Sequence, residues 1–338
     1  MSITISDIAR ISGVSLSTVS RVLNNSGYVK DETRKKVEEV IRQNNFIPSA
    51  IARNLSKSQS TTIGIIVPDI TNSYFGEVIK GVSEIAEENG LNIILFNTDN
   101  ILEKEIRALN VLKEQRIRGI IMTPGFGEEK DNFKYIDTIN KLNIPIVLVS
   151  ADIKFKKMSG IFVDNINAGF DATNLLLKKG HSKIAIMTGI LSSEPAAHRL
   201  LGYKKALKES NIDIEQRYIL SGDFNMKKAY ELTKKLIEDE DRPTALITCS
   251  NRMTIGAIKA LKEKNINIPE DLAIVAFDRV ALLDYLGINI TYIDELPLSL
   301  GKKSMNLLLD ILNNNISEKE KRIIVKPRII FKGSEEKI

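Results

Sequence analysis

The fold of this 338-residue chain is decided near its start, where Thr4 to Asn25 read TISDIARISGVSLSTVSRVLNN. Apolar residues at helical spacing predict two short helices, the first with Ile5, Ile8 and Ala9 and the second with Val19, Val22 and Leu23. Thr4 and Asp7 have the spacing of a capping box, and Ser15 is placed to cap the second helix. Gly13 offers the permissive backbone that a tight turn between them needs.

The outward face of the second helix carries Leu16, Ser17, Ser20, Arg21 and Asn24. In a helix-turn-helix this face lies in the major groove of DNA. There, Arg21 can bind guanine O6 and N7, Ser17 can pair with several bases, and Leu16 suits a thymine methyl group. The candidate DNA contacts of this segment are Thr4, Ser15, Leu16, Ser17, Thr18, Arg21 and Asn24. The alternative is a helical hairpin whose outer face is merely solvated.

Charge favours the DNA-binding interpretation. Residues 1–60 carry nine Lys or Arg against five Asp or Glu, so this segment holds +4 of the whole chain's +5. A cationic head on a nearly neutral body is what phosphate binding requires, because each neutralised phosphate releases counterions. A third predicted helix, Asp31 to Asn45, contributes Val37, Val40 and Ile41 to a small core, so a helix-turn-helix domain is expected over residues 1–45.

A hinge is expected over residues 46–60, which begin FIPSAIARNL. Pro48 suits the first turn of a helix, but barely two turns follow, and so short a helix is not stable alone in water. A symmetry mate over DNA would stabilise it, with Ala52, Arg53 and Leu55 as contacts and Leu55 as an apolar wedge in the minor groove. The alternative is a plain linker in which Leu55 is a core leucine.

From Thr62 onward, short apolar runs alternate with amphipathic segments, which predicts parallel strands separated by helices. The predicted strands are Ile63–Val67, Asn92–Phe96, Gly119–Met122 and Pro145–Val149, then Ile161–Val163, Ile184–Met187, Tyr218–Leu220, Ala245–Thr248 and Ala273–Phe277. The fold class is therefore α/β, with two doubly wound halves behind the helical head. Ligands of such sheets bind outside the carboxyl ends of the strands, and here two such crevices would face each other across a cleft.

Residues that follow strand ends are the candidates for a ligand site in that cleft. They are Tyr74, Phe75, Asn97, Thr123, Ser150, Arg199, Phe224, Ser250 and Asp278. Arg199 and Asp278 would bind sugar hydroxyls or a carboxylate, and an aromatic ring would cover an apolar ring face. The alternative is that Arg199 caps a helix and Asp278 ends a strand.

The chain resembles bacterial transcription regulators of the LacI/GalR family. The resemblance rests on DIARISGVSLSTVSRVLN (Asp7–Asn24), PSAIARNL (Pro48–Leu55) and TIGIIVPDITNSYF (Thr62–Phe75), and it extends over nearly the whole chain. It implies a periplasmic-binding-protein-like sensor whose chain crosses between halves near residues 159, 289 and 320. The expected subdomains are 61–159 plus 290–320 and 160–289 plus 321–335. It also implies a homodimeric repressor on a palindromic double-stranded operator, with Arg199 and Asp278 at the effector-contacting positions.

Departures from the family pattern bear on the effector. Ser150, the run Ser250-Asn251-Arg252, Arg279 and the run Asp294-Glu295-Leu296 replace residues that are common in the family. The cleft is then less acidic near positions 150, 251 and 279, which favours a sugar acid or sugar phosphate over a neutral sugar. A regulator that answers to a phosphorylated protein corepressor is the alternative, and the retained Arg199 and Asp278 favour a metabolite.

Other classes of protein are disfavoured. The sequence shows no pattern of an activated nucleophile, a set of metal ligands or a cofactor-binding loop. We therefore expect that the protein is not an enzyme and binds no cofactor. No carboxylate or cysteine stands at metal-ligand spacing from His181, so no metal is expected. The single cysteine, Cys249, fits a reducing cytoplasm. There is no apolar run of about 18 residues, and the DNA-reading motif starts where a signal peptide would stand, so no membrane association is expected.

Overall fold

The computed structural model describes residues 3–46, 60–125, 132–153, 156–315 and 320–337. The chain divides into two compact units, Met1–Ser60 and Thr61–Ile338, which we call the head and the sensor. The predicted hinge helix, with Ala52, Arg53 and Leu55, lies outside the described residues.

The described part of the head, residues 3–46, contains three helices: α1 (Ile5–Ser12), α2 (Leu16–Leu23) and α3 (Asp31–Gln43). The predicted capping box is present, because the Thr4 side chain accepts from the Asp7 N–H and the Asp7 carboxylate accepts from the Thr4 N–H. Gly13 ends α1 at φ 66°, a left-handed conformation that favours glycine. Ile8, Val19 and Val37, one from each helix, are fully buried, so the three helices share one small core.

The sensor contains two six-stranded sheets flanked by helices, which confirms the expected fold class. The strands are β1 (Thr62–Val67), β2 (Asn92–Asn97), β3 (Ile120–Met122), β4 (Ile146–Ser150), β5 (Gly160–Val163), β6 (Ile184–Thr188), β7 (Ile219–Ser221), β8 (Ala245–Thr248), β9 (Ala273–Phe277), β10 (Thr291–Asp294), β11 (Arg322–Val325) and β12 (Arg328–Ile330). The helices are α4 (Ser73–Glu88), α5 (Leu102–Glu114), α6 (Asn132–Leu142), α7 (Asn165–Lys178), α8 (Glu194–Glu209), α9 (Met226–Glu238), α10 (Asn251–Glu263), α11 (Ala281–Tyr285) and α12 (Pro297–Leu312).

The first sheet has the order β11-β5-β4-β3-β1-β2 and is parallel throughout. The second has the order β12-β10-β9-β8-β6-β7, and its edge strand β12 pairs antiparallel with β10. We call the sheets with their packed helices the first half and the second half. Central strands such as β1 and β9 are buried almost throughout, which explains their continuous apolar sequences.

The chain crosses between the halves later than expected. β5 and β11 lie in the first sheet, and β10 lies in the second, so the crossings fall at residue 164, residues 295–296 and residues 326–327. The expected crossings near 159, 289 and 320 each fell one short strand too early. The strand at Ile161–Val163 was predicted but assigned to the other half, and β10 and β11 were not predicted. The expected boundaries of 61–159 plus 290–320 and 160–289 plus 321–335 are corrected accordingly. β10 and β11 have only four residues each and alternate in burial, so they have no distinctive hydrophobic pattern.

Candidate functional site

The head exposes the side chains that were predicted to read bases. Leu16 is 50% exposed at the start of α2, and Ser17 and Arg21 are exposed on the same helix. The helix begins where Ser15 accepts a hydrogen bond from the Thr18 N–H at 3.2 Å. This cap fixes the end of α2 whose side chains were predicted to reach base edges.

Other predicted contacts are engaged within the head. Thr4 belongs to the capping box, and the Ser15 hydroxyl lies 2.8 Å from the Ser17 hydroxyl. Asn24 is half-buried, and its amide donates to the backbone carbonyl of Ser20 at 3.0 Å. Tyr28, which was not among the predicted contacts, is 84% exposed in the loop after α2. An aromatic residue beside a turn glycine was the available signal for it.

A cavity of about 210 Å³ lies between the two halves of the sensor. It is lined by strand-end and loop residues of both: Pro68, Asp69, Asn72, Tyr74, Phe75, Asn100, Thr123, Ser150, Ala151, Ile190, Ser193, Pro195, Arg199, Asp223, Phe224, Asn225, Ser250, Arg252, Asp278 and Glu295. Eight of the nine cleft residues predicted from sequence are in this lining. Asn97 is not, because its side-chain oxygen accepts from the Ile70 N–H at 2.8 Å and its amide donates to Asp99.

Three side-chain-bearing residues of the cavity lining have a left-handed backbone. Ser150, Phe224 and Asp278 have φ of 69°, 57° and 67°, values that side-chain-bearing residues rarely adopt. Each conformation of this kind costs about 1–3 kcal/mol and persists at sites where the geometry serves binding or catalysis. Phe224 is also held by Gly189, where a Cβ atom would lie 2.0 Å from the phenyl ring. The cavity wall is therefore shaped at the expense of local stability.

Arg199 is buried on α8 and is largely engaged with the protein. Its Nε donates to the Asn165 side chain at 2.8 Å, its Nη1 donates to the Cys249 carbonyl at 2.8 Å, and its Nη2 pairs with Glu295. Asn165 and Glu295 border the first and second crossings between halves. Three of the five guanidinium N–H groups are thus hydrogen-bonded within the protein, so Arg199 connects the two crossing segments.

Close helix packing brings Arg199 to this position. A Cβ atom on Gly169 of α7 would lie 2.2 Å from the Arg199 carbonyl oxygen, so only glycine permits this approach of α7 to α8. The guanidinium carbon also lies 4.4 Å from the centre of the Phe277 ring, a favourable cation–π contact. The sequence analysis predicted Arg199 as a cleft residue but did not identify Glu295 as its buried partner.

Asp278 and Ser193 leave polar atoms unpaired at the cavity. Asp278 Oδ1 and Ser193 Oγ are buried and have no hydrogen-bond partner among the residues that the structure describes. Burial raises the pKa of Asp278 well above its usual value, and the nearby carboxylate of Glu295 raises it further. The first-half groups differ, since the Tyr74 hydroxyl is hydrogen-bonded to Ser150 at 2.5 Å and the Thr123 hydroxyl donates to the Val149 carbonyl.

Two residues of the second half bind the first half across the cleft. Arg252 forms an ion pair with Asp69 at 2.6 Å and donates to the Thr71 hydroxyl. The Asn251 amide donates to the side chains of Asn72 at 2.7 Å and Ser73 at 3.0 Å. The loop before α4 and the start of α10 are therefore held together directly.

The charges around the cavity do not favour the anionic ligand that the sequence suggested. Arg279 is not in the lining and pairs with Asp284 at 2.8 Å, whereas Glu295 adds a buried carboxylate. The lining contains four Asp or Glu and two Arg residues, a formal charge of −2.

Neither a metal centre nor a membrane span is found in the described residues. Within them, no cluster of three or more His, Cys, Asp or Glu residues has a metal-binding arrangement. None of the helices in that part of the chain is both long and apolar enough to cross a bilayer.

A larger groove of about 530 Å³ lies in the second half, lined by Lys262 and Lys332 among others, away from the strand ends that form the central cavity.

Comparison with known proteins places both units in one family. Residues 4–49 match "Bacterial regulatory proteins, lacI family", and residues 60–333 match "Periplasmic binding proteins and sugar binding domain of LacI family". The chain is 35% identical to catabolite control protein A of Priestia megaterium, covering 93% of both chains. It is 34% identical to the transcriptional repressor PurR of Vibrio atlanticus, covering 98% of both. A lac repressor dimer bound to operator and an anti-inducer has the same fold, with a TM-score of 0.86 at 23% identity, covering 99% of this chain and 100% of that one.

Proposed function

Because the chain belongs to the LacI family of bacterial regulatory proteins, we propose that it is a repressor of carbohydrate-utilisation genes controlled by a small-molecule effector. The chain is a DNA-binding transcriptional regulator. The proposal concerns the type of effector that it binds and the genes that it controls. The observation that carries the proposal is the cavity between the halves, lined by strand-end residues of both sheets and containing unpaired buried polar atoms. Buried polar groups normally have partners, so these are available to a ligand.

The operator is a near-palindrome bound by a homodimer. A single recognition helix reads only a few base pairs, whereas two helices related by symmetry read a spaced pair of half-sites. The exposed Leu16, Ser17 and Arg21 on α2 supply the base contacts. The lac repressor structure named above, a dimer on its operator, supports this arrangement. The protein would act in the cytoplasm, where its DNA is.

The effector is a small carbohydrate-type molecule, such as a sugar or a sugar derivative, that contacts both halves. A ligand changes the arrangement of the halves only through different contacts in the two states. The residues that join the halves, Arg252 with Asp69 and Asn251 with Asn72, lie beside or in the cavity lining. Effector and operator would thus be coupled through the sensor, and each would change the affinity for the other by the same factor.

A protein corepressor is the second candidate mode of control. The observation that favours it is the similarity to catabolite control protein A. A phosphorylated partner protein would bind the outside of the sensor, whereas a metabolite would bind the cavity. The Asp278 and Ser193 atoms that lack partners favour the metabolite.

The test begins with operators selected from random double-stranded DNA by the full-length protein. Fluorescence anisotropy then measures operator affinity with and without each member of a sugar library. We expect a palindromic site, and at least one sugar-type ligand that shifts operator affinity about 5- to 150-fold. Light scattering that finds only monomer under conditions of tight operator binding contradicts the dimer. A library without effect, combined with a response to a phosphorylated protein, establishes the corepressor mode.

A further inference from the structure

Four carboxylates line the cavity, and three of them have a cation partner. Asp69 pairs with Arg252, Asp223 with Lys228, and Glu295 with Arg199. For Asp278, no ion pair or side-chain hydrogen bond is found within the described ranges. Asp278 is therefore the one carboxyl group of the described lining that has no cation to stabilise its ionised form.

The surroundings of Asp278 do not supply the missing cation. Among the described residues, Arg199 is the positive group that acts most strongly on Asp278, and its guanidinium is already paired with Glu295. Asp294, Glu295 and Glu77 all add negative potential at Asp278. Arg279, its neighbour in sequence, is turned to Asp284 instead. None of these neighbouring groups therefore supplies a cation to Asp278.

Ser193 adds a second group of the same kind. It precedes α8, where a serine hydroxyl commonly caps the helix, yet its side chain makes no capping hydrogen bond. Its Oγ is buried, the residue is 1% exposed, and it lines the same cavity as Asp278. A hydroxyl can accept as well as donate, so both groups can receive N–H or O–H donors from one ligand.

We infer that the ligand of the cavity carries a protonated amine that binds Asp278, on a body about the size of one sugar ring. The inference rests on the proposed function, since it assigns a chemical class to the effector. Charge-assisted hydrogen bonds between an ammonium group and a carboxylate are stronger than those from a neutral hydroxyl. The cavity of about 210 Å³ has room for roughly seven water molecules, which sets the size of the ligand. The aromatic residues Tyr74, Phe75 and Phe224 in the lining provide additional favourable surroundings for a cation.

The first test measures binding to full-length protein by calorimetry with three panels of single-ring or similarly small compounds. One panel contains neutral sugars and polyols, the second contains the amino sugars and amino polyols that correspond to them, and the third contains the matching sugar acids and phosphates. We expect an amine-bearing compound to bind about tenfold tighter, or more, than its hydroxyl counterpart. Asp278→Asn should remove this preference, while Asp223→Asn, which alters a carboxylate that already has a cation, should retain it.

The outcomes separate the inference from the proposed function. Tighter binding of a neutral or acidic compound than of its amine counterpart overturns the inference and leaves small-molecule control intact. The inference is also overturned, and small-molecule control is left intact, if the Asp278→Asn variant still binds the amine-bearing compound more tightly than its hydroxyl counterpart. Failure of all three panels to bind overturns small-molecule control by sugar-type ligands, and the inference with it.

The second test needs no ligand. An unpaired buried carboxylate destabilises the folded state, so Asp278→Asn should raise the melting temperature by about 2–4 °C, while Asp223→Asn should not. A fall in the melting temperature of Asp278→Asn would mean that the carboxylate has a structural partner, which overturns the inference.

Discussion

Arg252 of the second half and Asp69 of the first half form an ion pair across the sensor cleft, with 2.6 Å between Nη2 and Oδ2. The side chains are 36% and 25% exposed, so solvent screens the pair and its contribution is about 0.2–1 kcal/mol. Arg252 also donates to the Thr71 hydroxyl in the same loop. Since these bonds exist only when the two loops are together, they bias the relative arrangement of the halves.

Arg252→Ala is therefore expected to weaken effector binding about two- to fivefold. An effector that contacts both halves must then bring the loops together without help from the ion pair. Calorimetry on the wild type and the variant measures the change. Lys228→Ala is the matched control, because its pair with Asp223 is also beside the cavity but lies within the second half. Equal effects of the two substitutions would show that bridging the halves is irrelevant.

Arg199→Ala is expected to lower the free energy of unfolding of the sensor by about 3–5 kcal/mol. The substitution leaves Glu295, which is 2% exposed, as a buried charge without its cation. The double variant Arg199→Met with Glu295→Leu should recover at least half of the loss, because it replaces the whole pair by apolar groups. Denaturant titrations of the wild type, the single variant and the double variant measure these changes in the free energy of unfolding. A loss below about 1 kcal/mol in the single variant would mean that the pair does not stabilise the crossings.

Glu105 makes the stability of the first half depend on pH. Burial raises the pKa of this carboxyl from 4.5 to about 7, although Tyr135 and the Gly125 N–H both donate to it. The folded state therefore binds the proton more tightly than the unfolded state. The contribution of protonated Glu105 to the free energy of unfolding is complete below about pH 4.5 and is lost as the pH rises through about 7. The free energy of unfolding changes by about 3 kcal/mol over this range.

Glu105→Gln should remove most of this pH dependence, because the amide cannot ionise. We expect the variant to be more stable than the wild type at pH 8 and to lose that advantage at pH 5. Thermal melts across this range provide the measurement, and Glu103→Gln on the exposed side of the same helix serves as the control. Parallel pH profiles of Glu105→Gln and the wild type would refute the assignment.

Arg21→Ala should weaken specific operator binding by about 1–3 kcal/mol and relax the preference at one base of each half-site. Lys35→Ala, on the exposed face of α3, should weaken all sequences about equally and lower the salt dependence of binding. Anisotropy titrations on the operator and on single-base variants distinguish these effects. Unchanged discrimination by Arg21→Ala would exclude it as a base contact.

Much of the sensor could be predicted from the sequence because its central strands are buried on both faces. The runs Ile63–Val67 and Ala273–Phe277 are apolar without interruption, and the observed strands differ from them by at most one residue. β10 and β11 could not be predicted in this way. They alternate in burial, and they gain their place from pairing with β9 and β5 at the crossings.

Eight of the twenty lining residues were predicted from the sequence, because residues after parallel strands share one edge of the sheet. Asn97 is the exception: it is the last residue of β2, but its side-chain oxygen accepts a hydrogen bond from the Ile70 N–H. Sequence position could not reveal this, since the choice between ligand and backbone depends on which loop lies within reach.

The sequence by itself determined the helical head, the alternation of strands and helices, and the charge that marks the head for DNA, because these depend on residues close together in the chain. Only the tertiary structure decided that Arg199 pairs with Glu295, 96 residues later, and that Asp278 is left without a cation. Local spacing sets helices, strands and caps. The balance of charge in a buried cavity depends on which distant side chains packing brings together, and no local pattern specifies that.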